Sequence, residues 1–142
     1  MRDPRGVTAL DAPDAVDPSP VVLIIPADRY YAALIRAVAG HLGARTGLTV
    51  TEITDLRLAV DEACDLLVPS SNPDGQVCCR FVQGLSGLRI RFATVDSGQV
   101  QPDTGGFGWR VLSALVDELA WSRDAGQVRV DILKRPLERD LP

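Results

Sequence analysis

Three short stretches of this chain carry residue types that can do chemistry. The first is "DLRLAVDEACDLLV", residues 55 to 68, where Asp61 and Glu62 stand side by side in an otherwise apolar run. Leu58, Glu62 and Leu66 recur every four residues and so form one row on a helix. A carboxylate between two leucines is partly desolvated, and desolvation disfavours its charged form. That raises its pKa and suits it to act as a general base. The same spacing also describes a solvated glutamate beside two leucines that a loop covers. Asp61 faces another way and is expected to be wet or paired with Arg57, four residues earlier. Asp65 is expected to be exposed.

The second stretch is "VDSG", residues 95 to 98. An aspartate at a strand end, followed by a small residue and a glycine, can offer its carboxylate to an amide or amine of a ligand, with glycine permitting close backbone approach. Asp-Ser-Gly is equally a common turn. The third is "TGGFGWRVL", residues 104 to 112, with glycines at 105, 106 and 108 just ahead of a helical pattern. Backbone N–H groups and the positive end of the helix dipole there could meet a phosphate. Alternatively the loop needs glycine only for its turn.

These residues need elements to hold them. The chain starts with "MRDPRGVTALDAPDAVDPSP", rich in Asp and Pro and without apolar period, which reads as a disordered tail over residues 1–20. "VVLIIPAD" then reads as a strand covered on one face. "RYYAALIRAVAGHLGARTG" places Tyr31, Leu34, Ile35, Val38 and Leu42 at helical spacing. A second helix follows, capped by Thr51 or Thr54, with the apolar stripe Ile53, Leu56, Val60, Ala63 and Leu67. Pro69 and "SSNPDG" stop it. "QVCCRFVQ" and "LRIRFATV", joined by "GLSG", predict a hairpin. The glycine loop leads into a third helix, "WRVLSALVDELA", and "AWSRD" with "QVRVDILK" close the chain as a second hairpin around Ala125 and Gly126. Residues 136–142 read as a frayed tail. The order strand, helix, helix, strand, strand, helix, strand, strand predicts an α+β two-layer sandwich, a mixed, mostly antiparallel sheet covered by three helices over residues 21–135.

Composition narrows the function classes. The chain has 142 residues, enough for one domain, and a net charge of -4 with no basic run, which argues against a nucleic-acid surface. No apolar run approaches the roughly 20 residues that span a bilayer, and no signal-peptide core follows the N-terminus, so a cytoplasmic protein with no membrane contact is expected. His41 is the only histidine, and Cys64, Cys78 and Cys79 lack a C-x-x-C spacing. Adjacent Cys78 and Cys79 in a strand point to opposite faces, so no metal site is assigned and the cysteines read as packing residues of a reducing compartment.

Taken in order, a helix bearing a glutamate, a hairpin, an Asp-x-Gly and a Gly-x-Gly helix start resemble the GHKL (Bergerat-fold) ATP-binding family. The match is closer to its serine-kinase anti-sigma factors of stress and sporulation control. "DLRLAVDEAC" is similar to that branch's N-box opening, and "GGFGWRVLSALVDEL" to its glycine box with the following helix, Leu115 to Leu119 being typical of the branch. Phe107 and Trp109 resemble actinobacterial members diverged at the nucleotide site. The resemblance covers residues 20 to 135.

The resemblance implies a histidine-kinase-like ATPase fold, with Glu62 as the base, working or vestigial, that activates an attacking hydroxyl. It makes Asp96 the reader of the adenine amino group, Gly98 its companion, and Gly106 and Gly108 the glycine box. The family's asparagine that holds Mg²⁺ falls at Leu66, which has no oxygen to offer a hard cation. Val100 replaces the second glycine of the family's Asp-x-Gly-x-Gly pattern, and no Lys or Arg lies between Asp96 and Gly108. The implied protein is an anti-sigma factor with weak or absent ATP use and no firm Mg²⁺ site. It would sequester an alternative sigma factor, be countered by an anti-anti-sigma protein, and form a homodimer. The alternative is an active ATP-dependent serine kinase that phosphorylates the anti-anti-sigma protein. The partner surface is expected at Arg29, Tyr30, Arg36 and residues 44 to 52.

Overall fold

The computed structural model describes residues 19–98 and 101–137. The Asp/Pro-rich tail, except Ser19 and Pro20, lies outside the described residues, as do Val100 and residues 138–142. Strand β1 (Val21–Pro26) is followed by a single 3-10 turn at Arg29–Tyr31, then helix α1 (Ala32–Arg45) and helix α2 (Val50–Leu67). The hairpin of β2 (Gln76–Gly84) and β3 (Gly87–Val95) comes next, then helix α3 (Phe107–Leu115) and the hairpin of β4 (Glu118–Asp124) and β5 (Gln127–Lys134). The five strands are ordered β1-β2-β3-β5-β4, and every described pairing is antiparallel.

The α+β sandwich with a mostly antiparallel sheet expected from sequence is present, and among the described strands the sheet is antiparallel throughout rather than mixed. Two helices rather than one separate β1 from β2, so the chain re-enters the sheet running the opposite way. The β3–α3–β4 crossover does keep its two strands in one direction, but β5 inserts between them, and no parallel pair forms among the described strands.

The helices pack on one face of the sheet. Phe81, Ile90, Phe92, Val128 and Val130 meet Leu56, Val60, Ala63 and Leu67 of α2, all at most 1% exposed, and Ile53 is half-buried beside them. The stripe read from the sequence is therefore the core face of α2. Its N-cap is Thr49, not Thr51 or Thr54: the Thr49 hydroxyl accepts from the Glu52 N–H, and the Glu52 carboxylate accepts from the Thr49 N–H. This reciprocal capping box satisfies two backbone donors that a cap at Thr51 or Thr54 would leave behind it. The second oxygen of Glu52 accepts from the Leu137 N–H at 2.6 Å, so the exit from β5 is tied to the start of α2.

Helix α3 is shorter than its pattern. It ends at Leu115, whose carbonyl accepts from Lys134 Nζ at 2.8 Å. The Asp117 N–H donates to the Leu133 carbonyl, the Asp117 carboxylate accepts from the Arg135 N–H, and Glu118 already belongs to β4. Pairing with β5 offers this segment a full ladder of backbone hydrogen bonds, and that outweighs its local helix preference.

The β4–β5 turn uses Ala125 and Gly126 with φ of 52° and 76°, the left-handed pair of a two-residue hairpin turn. In the β2–β3 turn Gly87 has φ 124°, and a Cβ there would fall 2.1 Å from the Lys134 carbonyl oxygen. Cys79 is buried toward the helices, while Cys78 is half-buried on the other face. No described helix is long and apolar enough to cross a membrane.

Candidate functional site

Glu62 sits on the side of α2 that turns toward the start of α3. An added Cβ at Gly108 would lie 3.1 Å from Glu62 Oε2 and 4.0 Å from Leu66 Cδ2. The fold thus brings the candidate base, the glycine box and Leu66 to one point, although 42 and 46 residues of sequence separate Leu66 and Glu62 from Gly108. Leu66 itself packs against the hydrophobic core. Desolvation pushes the Glu62 pKa up, Asp65 and Asp61 push it the same way, and Arg29 opposes them. The direction is the one a general base needs.

Asp61 and Asp65 are not bare. Asp61 pairs with Arg36 of α1 instead of Arg57, because α1 and α2 pack side by side and Arg36 reaches across. Asp65, exposed as expected, pairs with Arg29 at 2.6 Å. These two ion pairs engage Arg29 and Arg36 of the expected partner surface, while Tyr30 remains 81% exposed with its ring edge-on to Tyr31. Residues 44 to 52 divide: Val50 is exposed, but Leu48 and Glu52 are buried.

Asp96 stands just past β3 in a loop fixed from two sides. Its N–H donates to the Gly126 carbonyl of the β4–β5 turn, and the Ser97 N–H donates to the Ser70 carbonyl beyond the end of α2. Gly98, at φ 79°, donates its N–H to Asp96 Oδ1 at 2.9 Å, which makes "DSG" an Asx turn. The Asp96 carboxylate also pairs with Arg123 of β4, Nε to Oδ2 at 2.7 Å. Sequence reasoning missed Arg123, since nothing in a strand 27 residues away marks a partner for Asp96.

Gly106 is the N-cap of α3 and leaves room for another carboxylate: a Cβ there would lie 2.6 Å from Asp103 Oδ2, and Asp103 Oδ1 accepts from the Gly105 N–H at 3.1 Å. Asp103 was also missed, though an Asp two residues before Gly-Gly is a turn signal. The positive end of α3 is therefore already met by two carboxylates of the chain, Asp103 and Glu62. A phosphate approaching it would face both.

The arrangement can be tested against a nucleotide. At the base end, Asp96 offers acceptor oxygens of the right kind. Where the resemblance puts the family's metal ligand, Leu66 has no oxygen to offer a hard cation.

Known proteins resemble this chain in sequence and in fold. Residues 25–134 match the family model described as the histidine kinase-like ATPase domain. The chain is 30% identical over 95 residues to the anti-sigma-F factor RsbW of Mycobacterium tuberculosis, covering 67% of this chain and 56% of that protein. It is 29% identical over 125 residues to the serine-protein kinase RsbW of Bacillus subtilis, covering 72% and 77% respectively. It thus spans little more than half the length of the mycobacterial relative. Among solved structures, that of the RsbU and RsbW domains of Rv1364c from Mycobacterium tuberculosis aligns with a TM-score of 0.61 at 22% identity, over 82% of this chain and 32% of that one. This last is a likeness of fold.

Proposed function

The chain belongs to the histidine kinase-like ATPase domain family, and from that premise we propose that it is an anti-sigma factor. It sequesters an alternative sigma factor, is released by an anti-anti-sigma protein, and makes weak use of ATP or none. The observation that carries this reading is Leu66 beside Glu62 and Gly108, an apolar side chain at the position where the resemblance to the family puts a metal ligand. Phosphoryl transfer depends on positioning and on neutralising charge with metal and cationic groups. Two carboxylates at the start of α3 add charge of the wrong sign. Sequestration needs only an exposed protein-binding face, and the relative named an anti-sigma-F factor supports that direction, whereas the relative named a serine-protein kinase supports the second reading below. Cytoplasmic location and a homodimer belong to the same proposal, with Tyr30 and its neighbours on α1 as the first surface to probe.

Were a nucleotide bound, Asp96 would hold its base and the backbone of Gly106 and Gly108 would approach its phosphates; ATP would supply the phosphoryl group. Glu62 could then accept a proton from a hydroxyl, and its raised pKa favours the second reading, an active serine kinase acting on the anti-anti-sigma protein. The deciding experiment incubates the protein with ATP, Mg²⁺ and a candidate anti-anti-sigma protein and assays phosphoserine. The expected result is little or no transfer together with a stable complex with an alternative sigma factor. Robust transfer that disappears in Glu62→Ala would establish the kinase instead, and failure to bind any alternative sigma factor of the source cell would refute sequestration.

A further inference from the structure

Any recognition of a base at this site depends on the Asp96 carboxylate, and both of its oxygens are already engaged by the chain. Oδ2 accepts from Arg123 Nε at 2.7 Å. Oδ1 accepts from the Gly98 N–H at 2.9 Å and is 3.4 Å from a second guanidinium nitrogen of Arg123, which also lies 3.4 Å from Gln101 Oε1 through its other terminal nitrogen. Arg123 pairs in register with Val128, Trp121 with Val130 and Leu119 with Ile132, so all three β4 side chains share the helix-covered face of the sheet. From there the guanidinium crosses β5 to the loop after β3. The Asp96 side chain is left 16% exposed and that of Arg123 37% exposed, so the arginine is the outer member of the pair.

An exocyclic amino group of a purine needs the same acceptor oxygens that the guanidinium holds. We propose that Arg123 is a built-in competitor for the base: Asp96 accepts a purine only in molecules whose Arg123 has swung away from it. This rests on reading Asp96 as the base-recognising group. The intrinsic dissociation constant is divided by the fraction of competent molecules, so the apparent dissociation constant rises as that fraction falls. A partly exposed ion pair shifts such an equilibrium only modestly, which makes Arg123 a brake of about two- to fivefold.

Adenosine is the suitable probe, because it carries no phosphate and the charge lost with Arg123 cannot act on it from a distance. Calorimetric titration of the full chain should show Arg123→Ser binding adenosine about two- to fivefold more tightly than wild type, with Arg123→Lys between them. Asp96→Asn should bind more weakly than any. Salt screens the pair, so the gap between wild type and Arg123→Ser should narrow as ionic strength rises, a trend that a merely structural role would not produce. Should Arg123→Ser unfold, the Lys variant and the salt dependence of wild-type binding still carry the test. Equal affinity of wild type and Arg123→Ser, with Asp96→Asn weaker, removes the competition and keeps the reading of Asp96. Weaker binding by Arg123→Ser overturns the proposal by making the arginine a ligand for the base. No adenosine binding by any variant at millimolar concentration overturns both the competition and the base-recognising role of Asp96.

Discussion

Glu62 Oε2 lies 3.1 Å from the point where a side-chain carbon on Gly108 would sit. The atom in the way is the far end of a flexible side chain, and alanine favours a helix over glycine by about 1 kcal/mol. Gly108→Ala is therefore expected to stay within about 1 kcal/mol of wild type in thermal unfolding. A much larger loss would mean that the Glu62 carboxylate cannot yield.

Gly87 presents the opposite case. Its φ of 124° suits glycine, and a Cβ would strike the Lys134 carbonyl at 2.1 Å, a backbone atom inside the β3–β5 ladder. Gly87→Ala should lose about 2–4 kcal/mol, since both the strained backbone and the clash must be relieved by moving strands. Denaturant unfolding measures it, and a loss below about 1 kcal/mol would contradict the packing at this turn.

Glu62 gives the stability curve a defined sign. Its pKa is raised in the folded protein, so the fold holds this proton more tightly than the unfolded chain does. Its favourable contribution is complete below the unfolded carboxylate value, about 4.3, and is lost as pH rises through the higher folded value. Glu62→Gln imitates the protonated form. The variant should melt above wild type at pH 7 and together with it near pH 3, and a lower melting temperature at pH 7 would reverse the argument.

Glu52 is 4% exposed and accepts from two backbone N–H groups, those of Thr49 and Leu137. Thr49→Ala removes one capping bond and should cost about 1 kcal/mol. Glu52→Ala leaves two donors without this acceptor and should cost about 2–3 kcal/mol. Paired unfolding curves decide the order; equal losses would show that the Leu137 bond adds nothing.

The cysteines should differ in reactivity. Burial pushes the Cys64 thiol up to about 12 and raises Cys79 as well, which keeps both protonated at neutral pH. Cys78 is also raised but only half-buried. A thiol reagent should label Cys78 first and reach the other two only on unfolding, with peptide mass mapping as the readout. Labelling of Cys64 before Cys78 in the folded protein would contradict this order.

Much of the fold could be read from periodicity, because α2 and the β2–β3 hairpin have apolar patterns that match their burial. The helix stripe from Leu56 to Leu67 and the turn at Ala125–Gly126 needed only local rules. The end of α3 did not: "LVDEL" has helical character, and only the neighbouring β5, later in the chain, draws Glu118 into a strand. The site divided in the same way. Glu62, Asp96 and the glycines were legible as motifs, while Arg123, Asp103 and the Arg36–Asp61 pair depend on contacts that no local spacing encodes.

The bond from the Leu137 N–H to Glu52 joins residues 85 positions apart. Helix α2 emerges from the ribosome long before residue 137 does, so its first turn lacks that donor until residue 137 has been made. The helix is completed only when the last strand has been delivered and paired. A chain cut short after β3 would keep every residue of α2 but not this bond, which makes the start of that helix a local sensor of whether the whole domain has been made.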